Sequence, residues 1–199
     1  MFLIILFMLI FGTIHSLTAR HSTKEKVRAM LGERLYEGWY RLFYNLLSVL
    51  LLIPPFLILF TEKSPILWSV DGVVKIIFIG IQLLGMVGLL LSILQIDGLR
   101  FMGLTQLSAY LQNKALPLPL EPLQTQGVYA LVRHPLYLFS MIVLWFMPEV
   151  SANYFVIALS ISIYFIIGSI FEENQMLRYY GQSYQDYRRK VPRLLPFYR

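Results

Sequence analysis

The sequence predicts an all-α integral membrane protein of about five transmembrane helices, ending in a helical hairpin and a cytoplasmic amphipathic tail helix. Three observations carry that expectation. Of the 199 residues 57% are apolar and 14% charged, with a mean hydropathy of +0.64, whereas a soluble domain is about half apolar and about a quarter charged. Five stretches approach the ~20 apolar residues that a bilayer crossing needs. The basic residues alternate between the two sides of those stretches in a strongly one-sided way. Five spans use up the chain, so 1–199 reads as a single membrane domain.

The first span covers about 1–18. Its uncharged start and the absence of a small-residue cleavage site argue for a retained helix rather than a signal peptide. A polar, basic loop from Ala19 to about Trp39 leads to a second span, 40–60, in which Pro54 and Pro55 should kink the helix or interrupt its hydrogen bonding. A turn at Ser64-Pro65 precedes the third span, 73–96. There Gly88 and Ser92 form a small-xxx-small pair that lets a neighbouring backbone come close. Asp97 to Leu116 is too polar to span, and Leu104, Leu107 and Leu111 at helical spacing suit the membrane interface. The run from Pro117 to Pro122 forces an extended linker. The fourth span, 127–147, is interrupted by Arg133-His134-Pro135, and Pro148 to Ser151 turns it into the fifth, 152–171. The tail, Glu172 to Arg199, carries Glu173, Leu177, Tyr180, Tyr184, Tyr187 and Val191 as one amphipathic stripe, with Gly181 as a point of bending.

Every Lys and Arg except Lys63 and Lys75 falls on one side of such a five-span arrangement. The positive-inside rule then puts the N-terminus outside and the C-terminus in the cytoplasm, in the inner membrane if the cell is bacterial. All three histidines, His15, His21 and His134, fall near the cytoplasmic face. The chain has no Cys, which excludes disulfides, thiolate metal sites and cysteine nucleophiles. The histidines show no metal-binding spacing, so no metal is expected, and no glycine-rich phosphate loop is present. The net charge of +6 flanks apolar spans rather than forming a basic-aromatic patch, so no nucleic acid is expected.

Two clusters could carry chemistry. Gly127 to Tyr137 (GVYALVRHPLY) places Tyr129, Arg133, His134, Pro135 and Tyr137 where an apolar helix begins. Proline frees carbonyls there, and such freed groups need partners. Glu172-Glu173 follows the last apolar run, and the hairpin brings it to the same end as Arg133 and His134, a charge-complementary mouth. Set apart from these, His15 at the inner end of the first span reads either as a packing residue or as a base.

GVYALVRHPLY, Glu172-Glu173, Gly181 to Tyr187 (GQSYQDY) and Val191 to Pro196 (VPRLLP) together resemble the C-terminal signature of the isoprenylcysteine carboxyl methyltransferase and phospholipid methyltransferase superfamily. His15 to Arg20, Phe101 to Gln106 and the Pro117 to Pro122 linker are similar to its methanethiol S-methyltransferase, or NnrU-like, branch. The resemblance implies S-adenosyl-L-methionine as methyl donor, bound in a cytoplasmic region made of 97–135 and 172–199. By position, Glu121, Pro122, Leu123, Gln124, Tyr129, His134, Pro135, Leu136, Tyr137, Glu172 and Glu173 match donor-binding positions. The expected roles are deprotonation assisted by His134 or His15, stabilisation by Arg133, and donor holding by Glu172-Glu173. Small thiols ionise near pH 8.5 or above, so a neighbouring Arg or neutral His would raise the thiolate fraction. Gly168 stands where prenylcysteine-methylating members carry Arg, which argues against a carboxylate acceptor, and Thr105 stands where the thiol-methylating branch would carry Arg. The leading expectation is methylation of a small or lipid-soluble acceptor, most of all a thiol. Carboxyl methylation of a prenylated cysteine, N-methylation of a phospholipid, a sterol-type nicotinamide-dependent reductase and a non-catalytic accessory protein are the alternatives.

Overall fold

A computed structural model of the chain describes residues 1–196; the last three residues of the expected tail lie outside the described residues. Among those described, the secondary structure is nearly all helical, and the chain divides into two compact units. Met1–Lys63 with Asp97–Glu121 form the first, and Ser64–Ile96 with Pro122–Arg199 the second.

The first unit begins with α1 (Phe2–Ala19), α2 (His21–Leu31) and α3 (Glu33–Thr61). The expected loop from Ala19 to Trp39 is therefore helical. Its Lys, Glu, Arg, Ala and Leu residues are good helix formers, and the run is broken at extended Arg20 and at Gly32, at φ +80°. Helix α3 runs through Pro54 and Pro55 without ending. Each proline forfeits one backbone bond, and Pro55 is fully buried among side chains instead. The expected interfacial helix is two pieces, α5 (Gly98–Met102) and α6 (Leu104–Leu111). They are separated by Gly103 at φ +93°, where a Cβ would sit 2.5 Å from the Leu42 nitrogen. Only glycine fits there. Tyr110 of α6 lies against Gly38 of α3, where a Cβ would come within 2.6 Å of it.

The second unit holds α4 (Gly72–Leu94), α7 (Pro135–Trp145), α8 (Ala152–Tyr180) and α9 (Gln182–Lys190). The small-residue face of α4 packs as expected: a Cβ on Gly88 would come within 2.3 Å of the Phe139 ring of α7. Two short strands were not expected from the sequence. Strand β1 (Ile66–Ser69) pairs antiparallel with β2 (Glu149–Ser151), joining Ile66 to Ser151 and Ser69 to Glu149. They tie the segment before α4 to the turn between α7 and α8.

Among the described residues, four helices are long and apolar enough to cross a membrane: α1, α3, α4 and α8, consistent with a multi-pass membrane protein. The expected fourth span differs. Instead of one helix over 127–147, the chain makes a 3-10 turn at Gly127–Ala130 and then α7, of 11 residues. At 1.5 Å per residue this is roughly 16 Å, about half a hydrocarbon core. Proline sets that boundary by taking the first helical position, with His134 as the N-cap. The last span differs in the opposite sense. Helix α8 continues nine residues beyond the expected end at 171, because nothing before Gly181, at φ +53°, interrupts it. Glu172 and Glu173 therefore lie inside a helix and not at its end.

Candidate functional site

Glu172 and Glu173, on α8, face the start of α7, and the Arg133-His134 backbone is held there by the tail. Arg133 N–H donates to the Pro192 carbonyl at 2.9 Å, and His134 N–H to that of Arg193 at 3.2 Å. Proline at 192 cannot donate in return, so this is a one-way clasp.

The Arg133 side chain is 7% exposed and that of Glu173 6%. Arg133 Nε donates to Glu173 Oε1 at 2.8 Å, and Nη2 donates to the same oxygen. Its Nη1 donates to the Arg188 and Val191 carbonyls, the first at 3.1 Å. Those carbonyls belong to the C-terminal end of α9, where orphan acceptors favour a cation. Arg188 Nε lies 3.5 Å from Glu173 Oε2. Buried charge is tolerated here because each charged group is answered by an opposite one.

His134 sits between the two carboxylates. Nδ1 is 3.3 Å from Glu172 Oε2 and Nε2 is 3.5 Å from Glu173 Oε1, the second an ion-pair contact rather than a well-aligned hydrogen bond. Burial pulls the imidazole pKa down, but Glu172 and Glu173 pull it up further, so it ends above its ordinary value. The group is thus disposed to be imidazolium. Tyr137 O–H donates to Glu172 Oε2 at 2.9 Å, and its ring stacks on His134 at 5.4 Å and on Phe165 at 4.5 Å. Glu172 is the accessible acid of the pair, with its side chain 37% exposed.

The 3-10 turn completes this region. Tyr187 O–H donates to the Tyr129 carbonyl, and Tyr129 O–H to that of Ser92 at 3.3 Å. Burial pushes the Tyr129 and Tyr184 phenols up to about 12, so both are neutral donors at physiological pH. Gln124 Nε2 donates to the Gln95 carbonyl at 3.1 Å, and Gln95 Oε1 accepts the Val128 N–H at 3.1 Å. Gly127, at φ +59°, leaves the room: a Cβ would lie 2.3 Å from the Gln95 amide.

Of the residues expected from the sequence, Arg133, His134, Tyr137, Glu172 and Glu173 are brought into contact. Tyr129 and Gln124 are held by hydrogen bonds in the same unit. Pro135 is buried at the start of α7, Leu123 and Leu136 are half-buried, and Pro122 is exposed. Glu121 belongs to the first unit, where it lies 3.7 Å from Arg100. So does His15, whose Nδ1 is 2.7 Å from Ser48 Oγ and whose Nε2 meets the Tyr44 hydroxyl. Sequence reading missed Gln95, Arg188 and Phe165. A lone amide ending an apolar span is a signal for Gln95, whereas nothing distinguishes Phe165 among 14 phenylalanines. No cluster of metal-binding side chains occurs among the described residues.

The profile of the NnrU protein family matches residues 3–145. A methanethiol S-methyltransferase of Crocosphaera subtropica is 32% identical over 192 residues, covering 94% of this chain and 71% of that protein. Methanethiol S-methyltransferase 2 of Bradyrhizobium diazoefficiens is 32% identical over 195 residues, 96% of this chain and 71% of its own. A methanethiol S-methyltransferase of Mycobacterium tuberculosis is 32% identical over 114 residues, 57% of this chain and 46% of its own. No solved structure matches the chain.

Proposed function

The chain belongs to the NnrU protein family, and from that premise we propose that it is a membrane methyltransferase that S-methylates a small thiol, with S-adenosyl-L-methionine as methyl donor. The observation that carries this reading is the 32% identity, over nearly the whole chain, to proteins named methanethiol S-methyltransferase.

The cluster fits such a donor, which carries a sulfonium and an ammonium charge. Glu172 is accessible, and its Oε1 has no partner among the described residues, so it can accept from a cation without leaving a buried charge unpaired. Glu172 is the proposed donor-binding carboxylate, and Tyr137 orients it. Gln124, Tyr129 and the apolar Pro122, Leu123, Pro135 and Leu136 would supply the surface for the adenosine. Bound there, the donor supplies a methyl group already activated for in-line displacement.

Arg133 and Glu173 hold the tail against the start of α7. His134, with its raised pKa, is better suited to hold a proton between two carboxylates than to take one from a thiol. His15 already accepts the Tyr44 hydroxyl at Nε2. Neither histidine is therefore the proposed base; the thiol proton goes to water, and rate should follow the thiolate fraction. A pH–rate profile for a thiol acceptor tests this. Expected is a rise up to the thiol's own pKa, above about 8.5; a further break below the thiol's pKa that disappears in His15→Ala or His134→Gln would return the base role to that histidine.

Calorimetric titration of the detergent-purified protein with the donor and its demethylated product tests the main reading. Micromolar binding, lost in Glu172→Gln, supports it, and no binding to a folded sample overturns it. The one-sided basic residues support an N-terminus outside and a C-terminus in the cytoplasm. Because the chain has no Cys, Lys63→Cys should react with an impermeant maleimide on intact cells and Lys190→Cys only after permeabilisation.

A further inference from the structure

Leu89 of α4, Ser140, Val143 and Leu144 of α7, and Ile161 and Phe165 of α8 line a cavity of about 250 Å³ in the second unit. Five of the six are apolar. The sixth, Ser140, carries a hydroxyl with no hydrogen bond among the described residues, whereas Ser48, Ser92, Ser162 and Ser169 each donate to a carbonyl of their own helix. A half-buried, unanswered hydroxyl in an apolar cavity at membrane depth calls for a partner. The cavity is also linked to the ion cluster by stacked rings. Its wall, Phe165, is the last ring of a stack that runs through Tyr137 to His134, with interplanar angles of 7° and 6°. Tyr137 is the residue that holds Glu172, and Ser140 lies one helical turn from it.

We propose that this cavity is the methyl-acceptor pocket and that it takes straight-chain alkyl thiols longer than methanethiol, with the sulfur at Ser140 and the chain among Leu89, Val143, Leu144 and Ile161. The proposal rests on the methyltransferase reading above. Size sets the class: benzene, with its six carbons, fills an engineered apolar cavity of about 150 Å³, so 250 Å³ suits a thiol of about ten heavy atoms, smaller than a farnesyl thiol. The Ser140 hydroxyl donates to the sulfur as charge builds on it. In the reaction a sulfur lone pair forms the new carbon–sulfur bond, the donor sulfonium keeps the pair from the bond that breaks, and the thiol proton leaves to water.

The test is steady-state methylation of linear thiols of increasing length, from methanethiol to about twelve carbons, and of a farnesyl thiol, by the detergent-purified protein, with donor affinity measured alongside by calorimetry. Each buried methylene should lower KM about fourfold up to about nine carbons, after which KM rises; the farnesyl thiol is a poorer substrate than the optimal linear thiol. Ile161→Trp should shift the optimum to shorter thiols. Ser140→Ala should lower kcat for all lengths while leaving donor affinity and the slope of KM with length unchanged, which a merely structural role would not do. A readout without turnover uses the cysteine-free chain: in Ser140→Cys, hexyl methyl sulfide should slow maleimide alkylation, and methionine should not.

Methylation that is indifferent to chain length, with no protection of Ser140→Cys, overturns the cavity assignment and leaves the methyltransferase reading standing. Such a cavity is a lipid-filled groove. Absence of both donor binding and thiol methylation overturns the underlying reading and the proposal with it.

Discussion

His15 and His134 are the same side chain buried by two different means. The groups that meet the two ring nitrogens of His15, the Ser48 and Tyr44 hydroxyls, are neutral. Ser48 spends its proton on the Tyr44 carbonyl at 2.6 Å, so its oxygen must accept from His15 Nδ1 at 2.7 Å. That assigns the tautomer from the network and leaves Nε2 to accept the Tyr44 hydroxyl. Around His134 almost nothing is neutral: two carboxylates lie at 3.3 and 3.5 Å, and Arg133 shares one of them. The contrast teaches what each kind of network tolerates. A neutral network loses about one hydrogen bond when a member is deleted. A charged one must keep its charges matched, because any deletion strands a buried ion.

The largest expected effect follows from that difference. Glu173→Ala leaves Arg133, 7% exposed, and His134 facing each other with only Glu172 to compensate. The loss should be about 3–5 kcal/mol, read as a fall in the denaturation midpoint in detergent. The paired replacement Arg133→Met with Glu173→Leu should cost clearly less than Glu173→Ala. If Glu173→Ala costs no more than deleting a hydroxyl near His15, the two regions do not differ as argued.

Glu172 sharpens the comparison from inside the cluster. With its side chain 37% exposed, Glu172→Gln should lower donor affinity at least tenfold, about the 1.5–3 kcal/mol of a hydrogen bond to a charged group, with a much smaller change in the denaturation midpoint than Glu173→Ala. Equal effects of both variants on the midpoint would make Glu172 a structural residue. The difference in surroundings between two adjacent glutamates is visible only in the structure, where Glu173 accepts from Arg133 and Glu172 from Tyr137.

Legibility in the sequence follows the same line. Hydropathy located α1, α4 and the apolar parts of α3 and α8, because membrane burial leaves a compositional trace about twenty residues long. It overran at 127–147, where Pro135 starts the helix late, and it stopped short at 171, where a change to polar residues ends the apolar run but not the backbone hydrogen bonding. The cluster of Arg133, His134, Tyr137, Glu172 and Glu173 was legible because charge is rare in such a chain. Phe165 and the β1–β2 pairing were not: each depends on a partner between 28 and 85 residues away, and the sequence marks neither end.

A smaller effect separates the regions by pH. The folded-state pKa of His134 is raised above an unfolded value of about 6.5. Its contribution to stability is therefore fully present below about pH 6.5 and is lost as pH rises through the folded value. The denaturation midpoint of the wild type should fall across the range from about 6.5 upward, and His134→Gln should flatten that slope while lowering the midpoint at acid pH. A slope unchanged in His134→Gln would mean that another group, such as a tail phenol or a lysine, titrates with unfolding.

The smallest effect tests the neutral side. Ser48→Ala removes the acceptor of the His15 Nδ1 proton and the donor to the Tyr44 carbonyl, while Tyr44→Phe removes only the hydroxyl at Nε2. Each should cost about 1 kcal/mol, with Ser48→Ala the larger because it strands the imidazole N–H in an apolar helix pair. Combining the two should cost less than their sum, since the imidazole can then turn over and reuse whichever carbonyl it reaches. The pH dependence of the midpoint should match the wild type in both variants, because no charge is gained or lost. A changed slope in either would show that His15 is ionised in the folded protein, and the division between a neutral and a charged histidine network would fail at that point.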